Sequence, residues 1–217
     1  MRINRFIAQA SGLSRRAADQ AISDGRVRVN GKPAQTGYDT QSTDVISLDG
    51  KPLAQQTTRT ILLNKPVGYV VSRDGQGART IYELLPKDLH GLKPVGRLDK
   101  DSSGLILLTN DGALANQLTH PSQQKEKIYE ASLDKALAWD DRTAIEKGVK
   151  LDDGPSALRL DPLDPQGRIW RVTMTEGRNR QIRRTFEALG YKVTKLHRTQ
   201  FGNYALGKLD PGMHQDG

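Results

Sequence analysis

Two segments of this 217-residue chain have the residue types and spacing to do chemistry. The first is Gly96-Arg97-Leu98-Asp99-Lys100-Asp101-Ser102-Ser103-Gly104, a loop that runs into the apolar stretch Leu105 to Thr109. A carboxylate beside a buried element is costly unless paired, so Asp99 needs a cation or hydrogen-bond donors. On residue types alone, Asp99 and Asp101 fit equally well a turn whose carboxylates bond to nearby backbone amides. The second is Gly177-Arg178-Asn179-Arg180-Gln181-Ile182-Arg183-Arg184, which opens a helix with four arginines in seven residues. That density exceeds what solubility needs and points to phosphate or carboxylate binding. Other chemistries lack their residues. There is no cysteine, hence no disulfide, thiolate metal site or thiol nucleophile. His90, His120, His197 and His214 are scattered without metal-ligand spacing. No phosphate-binding P-loop, nucleophile elbow or dinucleotide fingerprint occurs.

The formal net charge is +8, and its distribution bears on partners. Residues 1–32 hold seven basic residues against Asp19 and Asp24; residues 168–200 hold nine against Glu176 and Glu187. Two basic clusters so far apart in sequence suggest one extended surface for a polyanion, where neutralised phosphates release counterions. No apolar run reaches the length of a membrane span, and the start of the chain shows no secretory signal. Cytoplasmic residence is therefore expected, in keeping with the absence of cysteine.

The elements that must position these residues are legible from periodicity. Ile3, Phe6, Ile7 and Ala10 form a helical stripe stopped by Gly12. Ser14 caps a second helix whose apolar face is Ala17, Ala18, Ala21 and Ile22. Val27 and Val29 alternate with Arg26 and Arg28 in a strand, Asn30-Gly31 is a hairpin turn, and Val45, Ile46 and Leu48 form another strand. Arg15 and Arg16 stand against the macrodipole in the first turn of the second helix, which a phosphate ligand would explain. Residues 1–53 thus read as an αα-β module, 54–59 as a linker and 60–217 as a second domain. In the latter, strands are expected at Ile61–Leu63, Tyr69–Val71, Leu105–Thr109, around Tyr129, near Leu158–Leu160, at Ile169–Thr175 and at Val193–Leu196. Helices are expected after Thr80 and Asp111, around Ala144, and through Ile182, Phe186 and Leu189. Strands outnumber helices without strict alternation, so the class is α+β.

The first module resembles an S4 RNA-binding domain, through Arg5-Phe6-Ile7-Ala8, Ser14-Arg15-Arg16-Ala17 and Gly25-Arg26-Val27-Arg28-Val29-Asn30-Gly31. The rest resembles the bacterial ribosomal RNA pseudouridine synthases of the RsuA family. The matching segments are 63–69, 95–99 (Val-Gly-Arg-Leu-Asp), 103–112 and 176–184, with His120-Pro121 and Lys127-Ile128-Tyr129-Glu130 between them.

The resemblance implies a catalytic domain built on a central, largely antiparallel mixed sheet crossed by a cleft. It makes Asp99 the catalytic aspartate acting on a flipped-out uridine, by attack on the sugar or removal of its C2′ proton. Tyr129 would stack on the base and help remove the C5 proton, although on pattern alone it is simply a core aromatic. Arg183 would pair with Asp99, and Arg97 would fill the space left by the flipped base. RNA contacts are expected from Arg15, Arg16, Arg26, Arg28, Arg178, Arg180 and Arg184, while Lys65 either contacts RNA or caps a hairpin. Asp101, at a variable position, is given a structural role. An isomerisation needs no metal or organic cofactor, and a monomer acting on ribosomal RNA, preferably of the large subunit, is expected. Small-subunit RNA, or a catalytically silent assembly factor, are the alternatives. Ser102-Ser103 and Thr185 depart from the family's usual residues, and the C-terminal end is short for it.

Overall fold

The computed structural model, described here for residues 1–54 and 57–217, consists of two units, Met1–Thr58 and Arg59–Gly217. Residues 55 and 56 of the expected linker lie outside the described residues.

The first unit contains α1 (Ile3–Ser11), α2 (Arg15–Ser23) and a four-stranded antiparallel sheet. Its strands are β1 (Val27–Val29), β2 (Lys32–Pro33), β3 (Ile46–Leu48) and β4 (Lys51–Pro52). Gly12 ends α1 in the left-handed conformation. The Ser14 hydroxyl accepts from the Ala17 amide at 3.1 Å and so starts α2. Asn30 and Gly31, both at positive φ, make the two-residue turn that pairs Val29 with Lys32. Ile3, Ile7, Ala18, Ala21, Ile22, Val27 and Ile46 form the core, which the helical stripes and the alternating strand supply.

The second unit is built on a nine-stranded sheet, and the expected largely antiparallel arrangement is found. In chain order its strands are β5 (Thr60–Lys65), β6 (Lys93–Val95), β7 (Ser103–Thr109), β8 (Lys127–Leu133), β9 (Val149–Leu151), β10 (Gly154–Ser156), β11 (Arg159–Pro162), β12 (Ile169–Met174), β13 (Val193–Phe201), β14 (Tyr204–Ala205) and β15 (His214–Asp216). β9 and β10 form a separate hairpin. The main path is β11-β12-β8-β13-β7-β5-β15, with β6 and β14 pairing off it. Every pairing is antiparallel except β13 with β7. Helices α3 (Gly112–Thr119), α4 (Trp139–Lys147) and α5 (Gln181–Glu187) join it, with a short 3-10 helix at Ile81–Leu84. Thr80 and Glu83 form a capping box on that 3-10 helix, and the Asp111 carboxylate caps α3 by accepting from Ala113 at 2.8 Å.

The strand expected at Tyr69–Val71 is not formed. Val70 makes one isolated bridge to Thr80, and the Tyr69 carbonyl accepts instead from the Lys65 ammonium at 2.8 Å. The last long strand runs on to Phe201 rather than ending at Leu196, which carries Arg198 into the middle of the sheet. β7 is buried almost throughout, in keeping with the uninterrupted apolar run. No helix among the described residues is long and apolar enough to cross a membrane.

Candidate active site

The Asp99 loop is held from two sides. Behind it, the Gly68 amide donates to the Lys100 carbonyl at 2.8 Å, tying the loop to the turn after β5. Ahead of it, Gly104 pairs with Arg198 across the parallel β7–β13 contact. Gly104 has φ +104°, and a Cβ there would lie 2.2 Å from the Arg198 carbonyl oxygen, so only glycine allows the approach. The Asp99 side chain is left partly exposed in a cleft of about 800 Å³. Arg97, Tyr129, Arg178, Arg180 and Arg198 line the same cleft. Tyr129 is buried on β8, sharing its face with Ala131 and Leu133 as the alternation requires.

The expected Asp99–Arg183 ion pair is not present. Arg183 Nε lies 3.3 Å from Asp101 Oδ2, while its two amino groups donate to the carbonyls of Asp101 and Val193. The guanidinium nearest Asp99 belongs to Arg180, with Nη1 3.9 Å from Asp99 Oδ2. Arg180 also binds Asp101 in bidentate fashion, both contacts at 3.0 Å. The cause is local backbone. Arg180 occupies the N-cap of α5 with φ 46° and ψ 30°, a left-handed conformation that turns it out of the helical series starting at Gln181. Asp101 is thus the carboxylate that both arginines grip. Burial raises its pKa, but the Arg180 hydrogen bonds and the charges of Arg183 and Arg180 outweigh that and hold it below the ordinary carboxylate value. The same Asp101 contact raises the Arg180 pKa.

Lys65 is not placed to touch RNA. Its side chain is fully buried, and the ammonium donates to the carbonyls of Pro66 (3.0 Å) and Tyr69 (2.8 Å), closing the turn after β5. Burial pulls its pKa down to about 8, against the opposing pull of Asp101 and Asp99. The hairpin-cap reading of Lys65 is therefore the one the geometry matches.

Arg178 and Arg184 converge on Asp153, with contacts of 2.7 Å each. Arg178 also donates to the backbone carbonyls of Asp153, Gly154 and Pro155. Both side chains are largely enclosed and clamp the β9–β10 hairpin to the start of α5. Sequence reasoning missed Asp153, whose signal was an acidic pair, Asp152-Asp153, in a turn before Gly154. It also counted Arg198 only as charge, although its place in a strand pattern was readable.

In the first unit, Arg15 and Arg16 are exposed on the first turn of α2. Arg28 is exposed and donates to the Gly31 carbonyl. Arg26 lies one residue before β1 and forms a bidentate pair with Asp49 at 2.6–2.8 Å. Among the described residues no group of three or more His, Cys, Asp or Glu could hold a metal ion.

An aspartate and a tyrosine in one cleft, ringed by guanidinium groups, offer an acid–base group and a stacking surface in a pocket suited to a polyanion. Residues 59–188 match the RNA pseudouridylate synthase family, and residues 1–46 match the S4 domain. An "Uncharacterized RNA pseudouridine synthase" of Aquifex aeolicus is 37% identical over 98% of this chain and 88% of its own length. "Ribosomal large subunit pseudouridine synthase B" of Bacillus subtilis is 36% identical over 97% of this chain and 89% of its own length. A pseudouridylate synthase solved by crystallography is 33% identical, with a TM-score of 0.72, covering 100% of this chain and 95% of that one. The chain belongs to the RNA pseudouridylate synthase family.

Proposed function

We propose that this enzyme isomerises one uridine of large-subunit ribosomal RNA to pseudouridine, with Asp99 as the catalytic residue. The observation that carries the assignment is the convergence of Asp99 and Tyr129 on one arginine-lined cleft of about 800 Å³. That volume takes a nucleotide swung out of its stack. Asp99 acts on the sugar of that nucleotide. The C1′–N1 bond breaks, the base turns, and C1′ joins C5; the C5 proton is lost and N1 gains one, so composition is unchanged. Tyr129 stacks on the base and assists removal of the C5 proton. Arg180, rather than Arg183, is the cation that faces the Asp99 carboxylate, and Arg183 acts through Asp101.

Arg97, exposed beside Leu98 at the cleft mouth, fills the gap in the RNA stack. Arg15, Arg16 and Arg28 of the first unit supply phosphate contacts, which position RNA without reading sequence. The large-subunit assignment rests on the name of the Bacillus subtilis relative, which matches this chain almost end to end. The enzyme works as a cytoplasmic monomer without cofactor. The test is to map pseudouridine in both ribosomal RNAs of a strain with and without the protein. Loss of one site in large-subunit RNA is expected. Loss confined to small-subunit RNA would overturn the assignment.

A further inference from the structure

Arg198 lies directly across the sheet from one of the two groups assigned to the chemistry and beside the strand that follows the loop carrying the other. On β13 it pairs with Tyr129 of β8 on one side and with Gly104 of β7, just after the Asp99 loop, on the other. Residues directly opposite across an antiparallel pair present their side chains on the same face. Arg198 and Tyr129 accordingly both line the cleft, with the guanidinium carbon 5.9 Å from the tyrosine ring centroid and 5.0 Å from that of Phe201.

This guanidinium is short of partners. Arg198 is 2% exposed, yet among the described residues its one hydrogen bond runs from Nε to the Leu105 carbonyl at 2.7 Å. Among the described residues, Nη2 is buried with no acceptor and no carboxylate pairs with the group. A guanidinium carries five N–H donors, and buried polar groups in native proteins nearly always find acceptors. A neighbouring cation adds to the mismatch. Lys127 also lines the cleft, held by the carbonyls of Thr175 and Glu176. Its pKa is lowered by burial and then by repulsion from Arg198. Two cations and several idle donors at the back of a cleft call for an acceptor that arrives with the ligand.

Resting on the reading above, we infer that Arg198 is a substrate-contacting residue that donates from its amino groups to a carbonyl oxygen of the uracil ring. A base stacked on Tyr129 lies beside the position directly across the sheet, which is Arg198. Uracil offers two acceptors, O2 and O4. The same contact holds the negative charge that gathers on those oxygens once N1 has left the sugar, so it strengthens as the reaction proceeds. A backbone phosphate would satisfy the donors equally well, but it would have to sit where the base stacks.

The experiment compares single-turnover pseudouridine formation by wild-type, Arg198→Met and Arg198→Lys enzymes. The transcripts carry uridine, 2-thiouridine or 4-thiouridine at the modified position. Sulfur is the weaker acceptor, and a hydrogen bond to a charged donor is worth about tenfold or more in rate. One thio substitution should slow the wild type by that factor, and Arg198→Met should be slow on uridine but nearly insensitive to the same substitution. RNA affinity should stay within about threefold, because the phosphate contacts lie elsewhere. The contact is excluded if neither sulfur slows the wild type, if variant and wild type suffer equal sulfur penalties, or if Arg198→Met keeps the wild-type rate. Weaker affinity with a flatter salt dependence and an unchanged rate would assign the group to a phosphate instead, and would also overturn the inference. Thermal melting checks each variant. Arg198→Lys keeps a cation and serves if Arg198→Met unfolds, and the wild-type comparison needs no variant. The wild-type rate on uridine in large- and small-subunit transcripts tests the substrate assignment separately, since Arg198 is intact there.

Discussion

Lys65 offers the sharpest test of how the site is supported. Its pKa falls from 10.5 to about 8 because the side chain is enclosed, with Asp101 and Asp99 only partly restoring the charge. At about 1.36 kcal/mol per pH unit, that difference is a penalty of roughly 3 kcal/mol on the charged form. Below about pH 8 both folded and unfolded chains carry the proton, and the penalty is felt in full. Between about pH 8 and 10.5 the unfolded chain holds the proton and the folded chain has released it, so stability gains as pH rises. Neutral lysine keeps two N–H donors, which match its two carbonyl partners, Pro66 and Tyr69. Lys65→Met removes the titration and strands both carbonyls. The wild type should therefore be stabilised relative to Lys65→Met progressively as pH rises, by roughly 3 kcal/mol between pH 8 and 10.5. Both tryptophans, Trp139 and Trp170, lie in the second unit, so urea unfolding followed by their fluorescence reports that unit alone. Curves for the two proteins that run parallel across this range would refute the reasoning.

The catalytic assignment predicts that Asp99→Asn abolishes pseudouridine formation while RNA affinity persists; turnover near the wild-type level would end the mechanism proposed above. Arg180→Ala should cost about tenfold or more in single-turnover rate, whereas Arg184→Ala, whose partner is Asp153, should cost about threefold or less. Equal losses would mean that both arginines only hold structure or RNA. Arg15→Ala combined with Arg16→Ala should weaken RNA binding and reduce the slope of log K against log salt by up to about 2, at roughly 0.9 per lost phosphate contact on a duplex. The saturating rate should not change, and an unaltered slope would place the RNA on another face of the module.

What the sequence made legible followed from local rules. Gly12, Ser14, Thr80 and Asp111 mark element ends because each acts within a turn of the backbone. The 3.6-residue stripe of Ile182 and Phe186 and the alternation of Tyr129, Ala131 and Leu133 identify buried faces. Strands of two or three residues, such as Lys93–Val95, Tyr204–Ala205 and His214–Asp216, cannot display a period, and each exists only because a longer neighbour pairs with it. Lys65 was obscured for a related reason. It continues the buried run Ile61–Asn64 to the end of β5, but nothing in its residue type says that two carbonyls await it inside.

The arginine partners show where helical periodicity stops being a guide. Arg180 and Arg183 are three apart, a spacing that puts both on one side of a regular helix, and both do reach Asp101. Periodicity cannot say which of them goes on to Asp99, because Arg180 is not in the helix. Its left-handed N-cap conformation, uncommon outside glycine and asparagine, re-aims the side chain toward the loop. Such a conformation costs of order 1–3 kcal/mol and persists only where surrounding contacts fix it. Here the bidentate grip of Asp101 does so. Asp101, passed over as a turn residue at a variable position, is thereby what brings a cation to Asp99. The cation that faces the proposed catalytic carboxylate is thus placed by a backbone conformation and a second carboxylate two residues on.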